Sequence, residues 1–136
     1  MILVDTSAWV DYLRDRRTLV AKALTALIER NAELATTEPV IMELLAGADT
    51  PARGEALERL ANGLPLLGLD PRLDFRAAAH LYAEARREGR TVRSLIDCLI
   101  ASVAIRHDVP LLHKDADYDV ISKIAPLQIH TSLRQR

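Results

Sequence analysis

The chain alternates short β-branched or leucine-rich runs with longer stretches in which apolar residues recur at helical spacing. Ile2-Leu3-Val4 reads as a buried strand running straight into a helix start, with Thr6 and Ser7 as good caps and Trp9, Val10 and Leu13 at helical spacing. A second amphipathic helix is predicted over 19–30, with Leu24, Leu27 and Ile28 on one face. Residues 33–36 form a short strand in this reading. Thr37-Glu38-Pro39 then opens a helix that Gly47 closes. Further helices are predicted over 51–61 and from Asp70-Pro71 to a stop at Gly89. A very apolar helix begins at Ser94 and holds Leu95, Ile96, Leu99, Ile100, Val103 and Ala104, and a short helix spans 115–124. Runs 64–69, 109–112 and 127–129 supply the remaining strands. Strands alternating with helices predict an α/β fold with a mostly parallel sheet covered on both faces.

Composition narrows this picture. The 136 residues fit one domain over 1–136, and 22 Leu and 20 Ala against five aromatics favour helices over an all-β sandwich. The single cysteine, Cys98, excludes an internal disulfide framework and a multi-cysteine zinc site. No apolar run suits a membrane span, and the N-terminus lacks the basic region of a signal peptide, so the expectation is a cytoplasmic chain with no membrane contact. Eighteen basic and 19 acidic side chains give a net charge of −1, so bulk charge does not make this a nucleic-acid-binding polycation.

The topology gives the acids a place to meet. In a parallel sheet, residues just past the strands' C-terminal ends share one edge, where α/β proteins put their ligands. Asp5 follows the first strand, and Asp115 and Asp117 follow Leu112 by three and five residues. Helix capping is the competing role for each, although Thr6 and Ser7 offer that service beside Asp5. Asp97 fits two readings equally. Ser94 to Asp97 has capping-box spacing, yet the helix is nearly apolar all round, and a carboxylate buried there needs a cation or several donors. Glu43 lies at the edge of an apolar arc beside Gly47, and by itself reads best as a boundary residue whose head reaches water.

Five carboxylates converging from four segments would repel one another without a cation. Oxygen-only ligands suit Mg²⁺ or Mn²⁺, and a carboxylate-held metal pair about 4 Å apart suits in-line phosphodiester hydrolysis. The other candidates are weaker. The four histidines have no metal-ligand spacing, with His113 reading as a loop residue, and Cys98 reads as a packed thiol. Arg86, Arg87, Arg90 and Arg93 lead toward the Ser94 helix, and could guide phosphates or simply be a solvated helix end. Trp9 and Tyr118 are the nearest aromatic platforms for bases, Trp9 reading better as core.

Four motifs in order carry a resemblance across essentially the whole chain. Asp5-Thr6-Ser7, Glu43-Leu44-Leu45-Ala46-Gly47, Thr91-Val92-Arg93-Ser94-Leu95-Ile96-Asp97-Cys98 with Ala101, and Leu111-Leu112-His113-Lys114-Asp115-Ala116-Asp117-Tyr118 resemble those of PIN-domain ribonucleases. Length, order and spacing resemble the VapC-type toxins of bacterial toxin–antitoxin pairs. The resemblance implies a three-layer α/β/α sandwich with about five strands and Mg²⁺- or Mn²⁺-dependent endoribonuclease activity. It also implies a homodimer and inhibition by a VapB-type antitoxin. Carried over by position, the catalytic acids are Asp5, Glu43, Asp97 and Asp115, and Asp117 joins them as a metal ligand. Thr6, Ser7, Arg93 and Ser94 are supporting residues, Thr6 or Ser7 orienting Asp5 or a bound water. A single-stranded or loop RNA, in a tRNA or rRNA, is the expected substrate, because its bases can be splayed out and read. Other classes compete: a catalytically silent PIN-like interaction module, a receiver-like phosphoacceptor domain and a DNA-directed metal nuclease. The intact acids argue against the first. A poorly placed Lys114 and a middle strand without an Asp argue against the second.

Overall fold

A computed structural model describes residues 1–130; the last six residues of the one-domain expectation lie outside the described residues. β1 (Ile2–Val4) lies between β2 (Leu34–Ala35) and β3 (Leu111–Leu112), parallel to both, with Leu3 paired to Ala35 and Val4 to Leu112. Leu3, Val4, Leu111 and Leu112 are wholly buried, as a parallel sheet covered on both faces requires. Two further segments line up at the edges, each by a single parallel bridge: Leu66 beside Thr36, and Ile129 beside Leu111. The predicted strands at 64–69 and 127–129 thus pair in parallel at the two edges of the sheet, each over a short stretch. Pro65 explains the first, because it accepts from Thr36 N–H but has no N–H to extend the ladder.

The helices are α1 (Thr6–Leu13), α2 (Leu19–Glu29), α3 (Glu38–Ala46), α4 (Pro51–Asn62), α5 (Asp74–Arg87), α6 (Leu95–His107) and α7 (Ala116–Ser122). They cover both faces of the sheet. α5 starts at Asp74 rather than Asp70. Asp70 and Pro71 instead make a turn, in which Asp70 Oδ1 accepts from Arg72 N–H and Asp74 Oδ2 accepts from Asp70 N–H. Gly89, with φ of 72°, provides the left-handed step that takes the chain out of α5.

α6 is the central helix, buried from Asp97 to Ala104. Its apolar circumference forces that burial, and Ser102 satisfies its hydroxyl by donating back to Cys98 O at 2.8 Å. Near its C-terminal end Arg106 forms a two-pronged ion pair with the buried Asp74 of α5, at 2.9 and 2.7 Å, and also donates to Gly68 O. Burial works to raise the Asp74 pKa, but the Arg106 bonds and the Asp70 amide outweigh it and hold the carboxyl below its ordinary range. One ion pair thus ties α5, α6 and the sheet-edge segment together. α6 consequently has a fixed axial position, which sets where its first turn presents Asp97.

Candidate active site

The first acid is placed by the first strand. Asp5 N–H donates to Leu112 O, so the residue sits where β1 and β3 end side by side. Asp5 itself, rather than Thr6 or Ser7, caps α1: its Oδ2 accepts from the Ser7 amide at 3.0 Å and the Ser7 hydroxyl at 2.6 Å. The Ser7 hydroxyl also accepts from Lys114 N–H at 2.9 Å, joining the β1 end to the loop after β3. Thr6 turns the other way and donates to Glu43 Oε1 at 2.6 Å, across from α1 to α3. Glu43 is therefore anchored, not the free boundary residue its segment suggests. Burial pushes its carboxyl pKa up, and the charges of Asp5 and Asp115 add to that, against the lowering effect of the Thr6 bond.

Asp115 caps α7, accepting from Asp117 N–H at 2.9 Å. Asp117 is buried and reaches back to the entrance of α6. Its carboxylate accepts from Arg93 N–H at 3.0 and 3.1 Å and from Ser94 N–H at 3.1 Å. This removes the capping-box reading of Asp97. In a capping box the Ser94 amide would go to the residue three further on, and here Asp117 takes it. Ser94 caps α6 through its own hydroxyl, accepting from Ile96 N–H at 3.2 Å. Asp97 is left free of capping duty and faces the other acids.

Asp97, Asp115 and Asp117 each present a carboxylate oxygen, all within 4.8 Å of one another. Burial first, then a hydrogen bond shared with Asp117 and the charges of Asp115, Asp5 and Asp117, pushes the Asp97 carboxyl up to about 9. The same shared bond and the Arg93 and Ser94 amides overcome burial and hold Asp117 down. The two carboxyls are thus driven in opposite directions, Asp97 up and Asp117 down.

Tyr118 completes the set, in a role its sequence position hides. Its ring is 0% exposed, so it is no stacking platform for bases; its hydroxyl donates to Asp5 Oδ1 at 2.6 Å and lies 3.2 Å from Asp97 Oδ1. One hydroxyl proton serves only one strong bond, and the shorter goes to Asp5. The signal available in the sequence was only that this tyrosine directly follows an acid of the fourth motif. Trp9 is core, as expected.

The remaining candidates take structural places. His113 Nδ1 accepts from Asp115 N–H, and burial lowers its pKa, so the ring is a neutral brace for the Asp115 loop. Cys98 is buried, and burial with the nearby Asp97 and Asp117 charges pushes its thiol up to about 11, an inert value. Of the arginine run, Arg86 lies over the Tyr82 ring and Arg87 pairs with Glu84; Arg93 alone pairs with the cluster acids.

The donor set fits a hard divalent cation. All its atoms are oxygens, three of the carboxylates are in ligand range of one another, and burial among like charges pushes Asp97 up, which a cation would relieve.

Comparison with known proteins agrees with this geometry. The PIN domain family matches residues 2–124. The VapC ribonuclease Mb1587 of Mycobacterium bovis and ribonuclease VapC11 of Mycobacterium tuberculosis are each 52% identical over 129 residues, covering 94% of this chain and 96% of the relative. Among solved structures, VapBC2 from Rickettsia felis, crystallised with a promoter DNA fragment, superposes with a TM-score of 0.72. It is 20% identical and covers 96% of this chain and 98% of its own.

Proposed function

The chain belongs to the PIN-domain family, and within it to the VapC ribonucleases; on that footing we propose that it is a metal-dependent endoribonuclease toxin, neutralised by a VapB-type antitoxin. The observation that carries the chemistry is the Asp97–Asp115–Asp117 cluster, three carboxylates with oxygens within 4.8 Å of one another and suited to share a cation. These three acids would hold Mg²⁺ or Mn²⁺, with Asp5 and Glu43 turned toward the same edge. The bound ion would neutralise developing negative charge on the phosphate and lower the pKa of water. Asp5, fixed by Ser7 and Tyr118, contributes a carboxylate of set orientation. Glu43, raised by burial and held by Thr6, would be the acid best suited to take up and release a proton. Arg93 lies at the rim to meet a phosphate. The complete acid set weighs against a silent interaction module.

The proposed substrate is a single-stranded or loop RNA, in a tRNA or rRNA, and the proposed assembly is a cytoplasmic homodimer bound by antitoxin. The whole of 1–136 is taken as one domain. Among the described residues no helix is long and apolar enough to cross a membrane.

RNA cleavage by the purified, antitoxin-free chain tests the reading. Cutting in Mn²⁺ or Mg²⁺ that stops with chelator and in folded Asp97→Asn supports it. Cutting that persists in Asp97→Asn overturns the assigned site, and equal cutting of a DNA strand of the same sequence moves the activity to a general metal nuclease.

A further inference from the structure

The acidic cluster has a cation of its own. Arg93 stands in the loop entering α6, with Nη2 at 3.4 Å from Asp115 Oδ1 and Nε at 3.6 Å from Asp117 Oδ1. Its backbone is pinned, because its N–H donates to both oxygens of Asp117. Its side chain is not, being 72% exposed against 3% for Asp117. Contacts this long on so exposed a stem are weak, and the guanidinium can leave without moving the loop. The neighbouring arginines are engaged elsewhere, Arg87 with Glu84 at 2.8 Å, Arg90 with Glu88 at 3.8 Å and Arg86 over Tyr82.

A divalent ion on Asp97, Asp115 and Asp117 and a guanidinium on the last two compete for the same negative charge. Both cannot neutralise it, and the ion carries twice the charge. Building on the metal-nuclease reading above, we infer that Arg93 is the resident counter-cation of the Asp115–Asp117 pair, that metal loading displaces its guanidinium, and that the displaced group binds an RNA phosphate at the rim. The planar fork of arginine suits a phosphate once its carboxylate partners are neutralised. The unloaded chain therefore holds RNA less well than the loaded one, and Arg93 acts as a positioning residue coupled to the metal.

Calorimetric titration with Mn²⁺ tests the competition, comparing wild type, Arg93→Gln and Arg93→Lys. Arg93→Gln should bind Mn²⁺ about threefold to tenfold more tightly, and Arg93→Lys should stay near wild type, since charge rather than bulk is at issue. Melting curves establish that the exposed substitutions leave the fold intact. A second titration follows a short fluorescein-labelled single-stranded RNA of mixed sequence onto the Ca²⁺-loaded chain. Arg93→Gln should bind it about threefold to tenfold more weakly, with a salt dependence shallower by about one unit of slope. If wild type binds Mn²⁺ through Asp97 but Arg93→Gln binds it no more tightly, the competition is overturned and the metal site stands. Unchanged RNA affinity and slope overturn the phosphate role. Mn²⁺ that fails to bind wild type, or binds Asp97→Asn equally well, overturns the metal site and this inference with it.

Discussion

Replacing Tyr118 by Phe removes one oxygen from a wholly buried position. The ring keeps its packing, including the tilted contact with His113 at 5.0 Å between centroids. What disappears is the donor 2.6 Å from Asp5 Oδ1. Ser7 serves only Oδ2, so Oδ1 loses the one hydrogen bond described for it, in a place nearly closed to solvent. A hydrogen bond to a buried charged group contributes about 1.5–3 kcal/mol, and the short distance and full burial place this one near 2 kcal/mol. For a chain of this size that corresponds to a melting temperature lower by about 6–8 °C. Thermal unfolding followed by circular dichroism, with chelator present so that only the chain's own donors count, reads it directly. A Tyr118→Phe protein within about 0.5 kcal/mol of wild type under those conditions would refute the claim that the phenol fixes Asp5.

Other consequences are checked in the same way. Arg106→Met leaves Asp74 buried without its partner; the exposed part of Arg106 admits some water, so the cost should be about 2–3 kcal/mol in urea unfolding at pH 7. Because the folded pKa of Asp74 is depressed, its ion pair stabilises fully above the ordinary carboxyl pKa of about 4 and fades as pH falls through the folded value. The gap between wild type and Arg106→Met should therefore narrow below about pH 4, and a gap that widens there would contradict the assignment. Asp117→Ala strips the Arg93 and Ser94 amides of their acceptor and should cost about 2–3 kcal/mol, whereas Asp117→Asn keeps one oxygen for them and should cost about 1 kcal/mol or less; equal losses would show that Asp117 does not anchor the α6 entrance. Lys114→Met should cost under about 1 kcal/mol, since the buried Asp11 keeps Arg16 and Thr18, while Asp11→Ala, which strands all three donors, should cost more.

The sequence disclosed the parts of this site that local rules govern. Strand-end position brought Asp5, Asp115 and Asp117 to one edge, and helical periodicity marked α6 as buried, which made Asp97 conspicuous. Relations between segments were beyond it. The capping reading of Asp97 fails only because Asp117, 23 residues past Ser94, takes the Ser94 amide. Glu43 looks like a boundary residue until Thr6, 37 positions away, is seen to hold it. Tyr118 has the composition of a core residue, and its chemistry lies wholly in what its hydroxyl touches. The outer strands were legible as leucine-rich runs, but their shortness was not, because the ladder at 64–69 depends on an N–H that Pro65 lacks.

The way the acids are held has a further consequence for assembly of the protein. Asp5 caps α1, Asp115 caps α7, and Asp117 takes the two amides that lead into α6, so helix starts and loop amides point positive ends at the acids. Those dipoles offset the mutual repulsion of the carboxylates before any ion arrives. Unlike a zinc finger, whose ligands find their geometry only with the metal, this chain can complete folding from its own amides and keep a formed site in reserve. On the proposed function, Asp5 and Asp115 answer to two demands at once, starting a helix and holding the site. Drift at these positions would unravel architecture together with activity, so a lineage that stopped needing the reaction would still meet resistance to losing its acids.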